Sequence, residues 1–463
     1  MLDKDAIKRI LSLAQETGAE FAEVFFEDQA TTTLIMEDKK VKQVVLGSDI
    51  GVGIRVIAGE TVGYAYTDDT SEKSVAEAAK VARAVATGSA KSKSVNLTQR
   101  KSDFTFTIAE PSYAAPTSVK ANFVREADAA AWDLGDAVRQ VNVGYTDYRR
   151  IMQVANSLGV YAEDEWLCTR FWSMVTAGKS GNLQFGMSGI GRQAGLEMFR
   201  QKSPEQIGRE SAETAIRMLD AVDCPAGTMP VVMANGDCGI LVHEACGHCL
   251  EGDFVANGTS PYVGKLGEMV AAPHITVVDD GVYPNASGSY HFDDEGTPSE
   301  RTVLIDHGKL TGYMYYNIHA KKMGVPSTGN GRRQSYRHYP LVRMRTTCIE
   351  NGTEDPKAIV ADTKSGLYVK TLGGGQADLG KGDFLFTALE AYKIENGEIT
   401  VPVKGATLIG NGFEVLQNID ALGNDFVVTE GGRGGCGKMQ TAIVSFGQPT
   451  LRIPSLTIGG TAV

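Results

Sequence analysis

The sequence predicts an α+β protein of two domains: helices and antiparallel strands over residues 1–222, then a mainly antiparallel β domain over 228–463 that carries one distorted H-E-x-x-x-H helix. Three observations carry this expectation. The chain has 463 residues, too many for one ordinary core. Four N-terminal stretches place apolar residues at helical spacing, with β-rich runs between them. From Met229 onward glycine is dense and helix signals fade, apart from the stretches at 237–250 and 317–323.

Residues 3–17 open the chain with Ile7, Ile10, Leu11 and Ala14 on one helical face. Short strands are expected at 21–26, 32–36 and 41–46, followed by a hairpin over 54–66 that turns at Ala58-Gly59-Glu60. A second helix over 71–86 aligns Val75, Ala78, Ala79, Ala82 and Val85. Pro111 and Pro116 mark a loop, after which Thr117 is positioned to cap a helix running to Trp132. Five runs, at 141–148, 152–155, 159–162, 167–177 and 183–189, read as a meander. Pro204 starts a further helix through Leu219, and Cys224-Pro225-Ala226-Gly227 breaks it, which puts the domain boundary at 222–228. Beyond it, 303–306 and 310–316 flank His307-Gly308-Lys309 as a hairpin, and 366–371, 384–394, 398–403 and 442–446 continue the strands.

Composition narrows the function classes. Hydrophobic content of 42% with 22% charged residues fits a packed globular protein, and no run approaches the ~18 apolar residues of a membrane span. A net charge of -11 disfavours nonspecific nucleic-acid binding. The start, Met1-Leu2-Asp3-Lys4-Asp5, has no basic region ahead of an apolar stretch, so no signal peptide is expected. Seven cysteines, three of them clustered at 238, 246 and 249, argue against a disulfide framework and for a reducing, cytoplasmic setting.

The cluster surrounds the most informative stretch, Gly236 to Asp253. There His243 and His248 bracket Glu244; neutral imidazoles are common zinc ligands, and a carboxylate beside a metal can take a proton from water. Composition alone gives about 0.01 such arrangements per chain. The spacing is H-E-x-x-x-H, and positions i and i+5 of an α-helix lie ~140° apart. A straight helix cannot present both histidines to one ion. The turn must widen locally or the helix must end, and Gly247 makes either distortion cheap.

A catalytic zinc usually takes three protein ligands. Asp253, Glu251, the other five histidines and the cysteines are candidates for the third, with Cys436 conspicuous in the glycine-rich run 431–438. That run also matches the start of a phosphate-binding loop from Gly432 to Lys438, but Met439 stands where Ser or Thr is needed. The segment Arg332 to His338 reads either as a grip for a peptide carboxylate or carbonyl, or as an exposed turn. His291 with Asp293, Asp294 and Glu295 reads as a solvated or supporting cluster before a second metal site. Gly373-Gly374-Gly375-Gln376 lets backbone approach a substrate strand, or forms a turn.

Together these motifs resemble the TldD/PmbA family of metallopeptidases, on the TldD side. The resemblance rests on His243-Glu244-Ala245-Cys246-Gly247-His248, Leu250-Glu251-Gly252-Asp253, Asp293-Asp294-Glu295-Gly296-Thr297, Thr328-Gly329-Asn330-Gly331-Arg332-Arg333, Gly373-Gly374-Gly375-Gln376, the stretch 403–412, Cys436-Gly437-Lys438 and the stretch 447–452. It implies a zinc peptidase with His243, His248 and Cys436 as ligands and Glu244 as general base. It also implies short or unfolded peptide substrates, in maturation or degradation, and a dimer with a metal-free sister subunit or with itself. Neither nucleic acid nor membrane is an expected partner. Two rival readings stand beside it. One is a regulatory or scaffold subunit whose structural metal is completed by Asp253 or Cys249; the other is a hydrolase with Cys246 or Cys436 as nucleophile.

Overall fold

The computed structural model describes residues 1–90, 95–378, 381–429 and 435–461, and every count below refers to these. The architecture is α+β, as expected. A seven-stranded sheet occupies the first half, in the spatial order Thr61–Thr67, Lys40–Ala58, Phe21–Glu37, Val138–Asn156, Val160–Lys179 and Thr98–Gln99, with Asn182–Arg192 also paired to Val160–Lys179. The second half builds an eight-stranded and a six-stranded sheet, mostly antiparallel, around one large core.

Helices Lys4–Ala14 and Glu72–Val85 cover one end of the first sheet, capped by the Asp3 and Ser71 side chains. Thr117–Trp132 and Pro204–Met218 cover the other end. Thr117 is the first helical residue and not the cap; Pro116 holds that place without a side-chain hydrogen bond. The strands are longer than expected. Residues 21–26 and 32–36 belong to one strand, Phe21–Glu37, and the five-run meander is three strands, Val138–Asn156, Val160–Lys179 and Asn182–Arg192. Polar residues such as Asp28, Gln29 and Arg149 interrupt the apolar pattern, yet backbone pairing continues through them on both sides, because ladder hydrogen bonds do not depend on side-chain type.

In the second half the hairpin strand expected over 310–316 pairs only at Lys309–Leu310. Its remainder runs beside the end of the histidine segment instead, where Gly252 N–H donates to the Met314 carbonyl and Met314 N–H to that of Leu250. Helices Pro356–Asp362 and Gly412–Asn418 were not expected; at seven residues each they are too short to show a period.

The two halves meet across the uncovered face of the first sheet. Val24 and Phe26 point to the helices, so alternation puts Glu23, Phe25 and Glu27 on the opposite face. Period-2 logic would place these glutamates in water. They are each only 1% exposed, because the second half packs over them. Arg55 donates to Glu23 (2.7 Å) and Glu295 (2.5 Å), Arg333 to Glu23 (2.6 Å), and Arg150 to Glu27 (2.5 Å) and Asp294 (2.8 Å). The acidic cluster is therefore buried and ion-paired rather than solvated, and among the described residues it forms no metal-sized grouping. His291 is committed to Asp164 at 2.7 Å, and Glu295 also accepts the Asn317 N–H at 2.7 Å. Burial pushes both Asp293 and Glu295 carboxyls up, each reinforced by a neighbouring carboxylate.

Removing one member of such a network strands its partners in a medium that cannot solvate them. Glu23→Ala leaves Arg55 and Arg333 short of a counter-charge and is expected to destabilise the chain by about 3–5 kcal/mol, read from denaturant unfolding.

Candidate metal centre

The histidine segment starts as one α-helical turn, Ile240–Val242, widens to a π-turn over His243–Gly247 and tightens over His248–Leu250. The defining bond runs from the His248 N–H to the His243 carbonyl, an i→i+5 contact. This widening solves the spacing problem: the two imidazole centroids lie 5.2 Å apart at 76°. The expected role of Gly247 needs correction. Its φ of -55° and ψ of -51° suit any residue. Glycine is required there for space, since a Cβ would sit 2.1 Å from the buried Met344 Sδ. Gly412 is tight for the same kind of reason, with the Ala245 carbonyl oxygen 2.1 Å from where its Cβ would be.

Cys436 reaches the histidines from a hairpin, Gly435–Lys438 paired with Gln440–Ile443, that turns at Met439 with a positive φ of 59°. The chain continues as a strand where a phosphate-binding loop would need a helix; residues 431–434 of that run lie outside the described residues. Cys436 Sγ lies 3.0 Å from His248 Nε2, and the ligand atoms of His243, His248 and Cys436 all fall within 4.8 Å of one another. All three residues are buried. Both ring nitrogens of His243 are buried without a hydrogen-bond partner, a costly arrangement for a polar ring unless a further group occupies the space between the three side chains. The donor set fits a divalent cation, and the grouping among the described residues stops at three.

Electrostatics favour the same reading. Burial raises the Cys436 thiol, but the two imidazoles outweigh it and hold Cys436 down at about 4, so the sulfur is anionic at neutral pH. Burial disfavours the His248 imidazolium, yet Glu251 and Cys436 lift it to about 10 in the metal-free chain. Glu251 is not a member of the cluster. It accepts from His248 Nδ1 at 2.9 Å, which turns Nε2 toward the cluster, and it is held at about 2 against burial by Lys438 and His248. Asp253 is likewise outside, paired with Lys438 at 2.6 Å. Burial pushes Cys246 and Cys249 each up to about 12, so neither is a thiolate or a ready nucleophile. All seven cysteines are free. Glu244, with its side chain 25% exposed, is the open member of the segment, and its Oε2 lies 3.8 Å from His248 Nε2.

Two supporting residues were not anticipated. Lys438 falls in the Cys436-Gly437-Lys438 motif and the false phosphate loop, neither of which gives it this role, and Arg343 carries no motif at all. Arg343 donates to the carbonyls of Cys436 (2.6 Å) and Gln440 (2.5 Å), fixing the hairpin. The segment from Arg332 is exposed only in part: Gln334 and Arg337 face solvent, whereas Arg333 and Tyr336 are buried between the halves. Gly373 and Gly374 lie within the strand Ser365–Asp378, where the register to its partner breaks between Leu372 and Gly375.

Family descriptions match three segments: the PmbA/TldA metallopeptidase domain 1 over residues 22–86, the central domain over 110–219 and the C-terminal domain over 226–460. The chain belongs to the TldD/PmbA family. It is 37% identical over 476 residues to the "Metalloprotease TldD homolog" of Haemophilus influenzae, covering 99% of this chain and 97% of that protein. A "Metalloprotease" of Methanothermobacter thermautotrophicus is 33% identical over 468 residues, covering 99% and 100%. The crystal structure of TldE from Thermococcus kodakarensis shares the fold with a TM-score of 0.79 at 21% identity, covering 98% of this chain and 100% of that one.

Because Gly247 is needed for space, Gly247→Ala must displace Met344 from a packed position. The expected cost is about 1–3 kcal/mol in thermal or denaturant unfolding of the metal-free chain. Glu251→Gln removes the charge that orients His248, and is expected to weaken divalent-metal binding about 10–100-fold in a chelator competition titration.

Proposed function

We propose that this chain is a zinc-dependent metallopeptidase acting on short or unfolded peptides, with His243, His248 and Cys436 as ligands and Glu244 as general base. The observation that carries the reading is the convergence of three buried donors, separated by up to 193 positions in sequence between His243 and Cys436, to within 4.8 Å. Two imidazoles and a thiolate suit zinc better than a hard cation. A three-residue set is what a catalytic site provides, since a structural one would be closed by a fourth protein ligand.

Bound there, zinc supplies Lewis acidity toward a peptide carbonyl. The protein's own groups do the rest. Glu244 takes a proton from the attacking water as the oxygen bonds to the carbonyl carbon, then delivers it to the amine nitrogen as the C–N bond breaks. Glu251 keeps His248 in the ligating tautomer, and Lys438 neutralises Glu251 so that the carboxylate stays charged in a buried place. The register break at Gly373–Gly374 supports an extended substrate docked by main-chain hydrogen bonds, which tolerate many sequences.

Family membership supports a partnership: a dimer with a sister subunit that lacks the histidine motif, or with a second copy of this chain. A cytoplasmic setting is supported by seven free thiols. No helix among the described residues is long and apolar enough to cross a membrane. A second reading, Cys436 as nucleophile with His248 as base, draws on their 3.0 Å contact.

Chelation separates the two. Hydrolysis of an unstructured peptide should stop when zinc is removed and return when it is restored; full activity in the metal-free protein would instead favour the thiol. Glu244→Gln should lower the rate by at least about 100-fold while one zinc per chain remains in elemental analysis. In Cys436→Ser, zinc should be lost on dialysis against a weak chelator that the parent chain survives.

A further inference from the structure

A cavity of about 380 Å³ lies between the halves of the molecule, lined by Arg150, Arg332 and Arg333 on one side and by Thr441, Ala442 and Ile443 on another. The second wall is the strand paired with the one that carries Cys436. Ala442 stands directly opposite Cys436 in that hairpin, so both side chains share a face, and they pack together. The cavity is therefore one strand pair from the metal cluster.

Three arginines and three aspartates line it, and their pairing is uneven. The lining carboxylates are already engaged: Asp164 by His291, Asp294 by Arg150 and the Arg333 N–H, and Asp293 by the N–H groups of Glu295, Thr297 and Gly331. Of the three guanidiniums, Arg150 pairs with Glu27 and Asp294 and Arg333 with Glu23, which leaves Arg332. Among the described residues Arg332 donates to the neutral carbonyls of Met344 (2.8 Å) and Ile443 (2.7 Å), lies over the Tyr290 ring at 5.2 Å, and makes no ion pair. Burial pulls its pKa down, against the opposing pull of Tyr290 and Asp294. Arg150 Nη2 and Arg333 Nε are buried donors with no partner. Arg332 is thus the lining cation without a carboxylate partner among the described residues, and a guanidinium in that state favours an anionic acceptor that reaches the cavity.

We propose that this cavity is a carboxylate-binding subsite beside the metal cluster, with Arg332 as its specificity-determining residue. Resting on the peptidase reading above, it selects peptides that carry a carboxylate within a few residues of the scissile bond, either the free C-terminus or an acidic side chain. The Arg332 guanidinium fixes the substrate's position along the cleft, and it touches no reacting atom.

The test is fluorescence anisotropy of an N-terminally labelled apolar pentapeptide titrated with the zinc-loaded chain, in three forms: free acid, C-terminal amide, and amide with glutamate at the fourth position. At least one carboxylate form should bind about tenfold or more tighter than the plain amide. Preference for the free acid alone assigns the terminus, and for the glutamyl peptide alone the side chain. In Arg332→Met the preference should fall below about threefold, with Arg332→Lys restoring part of it. Arg332 also holds two backbone carbonyls, so Thr441→Glu provides an independent arm: it leaves Arg332 in place, adds an anion to the wall, and should abolish the same preference. Equal binding of all three peptides overturns the subsite, and so does a preference that survives both Arg332→Met and Thr441→Glu with zinc retained. Carboxylate-selective binding without hydrolysis would count against the peptidase reading and leave the subsite standing; hydrolysis without selectivity would do the reverse.

Discussion

The Lys438 ammonium holds the site together. It is nearly buried, pairs with Glu251 at 2.9 Å and with Asp253 at 2.6 Å, and lies 4.4 Å from the centre of the Phe254 ring. Those three partners sit just past the distorted helix, whereas Lys438 sits two residues past Cys436. The ion pair thus docks the hairpin onto the helix and sets the Cys436 sulfur beside His248. The same contact works outward, because Glu251 can be buried as an anion only with Lys438 next to it, and His248 can be oriented only by an anionic Glu251.

The π-turn is the second constraint, and it depends on packing more than on local preference. A wide turn of this kind is rare in helices and tends to occur at functional sites. Here it is clamped on two sides by close approaches, Met344 against Gly247 and Gly412 against Ala245. Met344 also passes its carbonyl to Arg332, and its neighbour Arg343 holds the carbonyls of Cys436 and Gln440. One short segment, 343–344, therefore touches the helix, the hairpin and the arginine-lined cavity. Geometry at the metal cluster and charge in that cavity are mechanically linked through it.

The network between the halves has a different character. Glu23, Glu27, Arg55, Arg150, Asp294, Glu295 and Arg333 replace what would ordinarily be an apolar contact, beside a small hydrophobic cluster around Phe25, Phe292 and Tyr336. Buried ion pairs add little net stability over well-packed apolar side chains, but they penalise any misalignment severely. The network thereby fixes how the first sheet sits on the second half, and hence the shape of the cavity that both halves line.

The sequence by itself determined the chemistry of the cluster. His243, Glu244 and His248 are adjacent enough to read as one motif, and their spacing required a widened turn because the α-helical repeat is fixed. Helix positions were legible for the same reason, as with Ile7, Ile10, Leu11 and Ala14. Cys436 was reached through likeness to a family, since nothing local marks a cysteine so distant from the histidines as their neighbour. What only the tertiary structure decided was which polar residues are buried. Glu23 and Glu27 follow the alternation of a solvent-facing pattern, Asp253 looks like a ligand, and Lys438 looks like part of a phosphate loop. Their roles depend on surfaces supplied by chain hundreds of residues away. A side chain's charge is written in the sequence, but the solvent it loses and the partner it gains are not, because both are set by long-range packing.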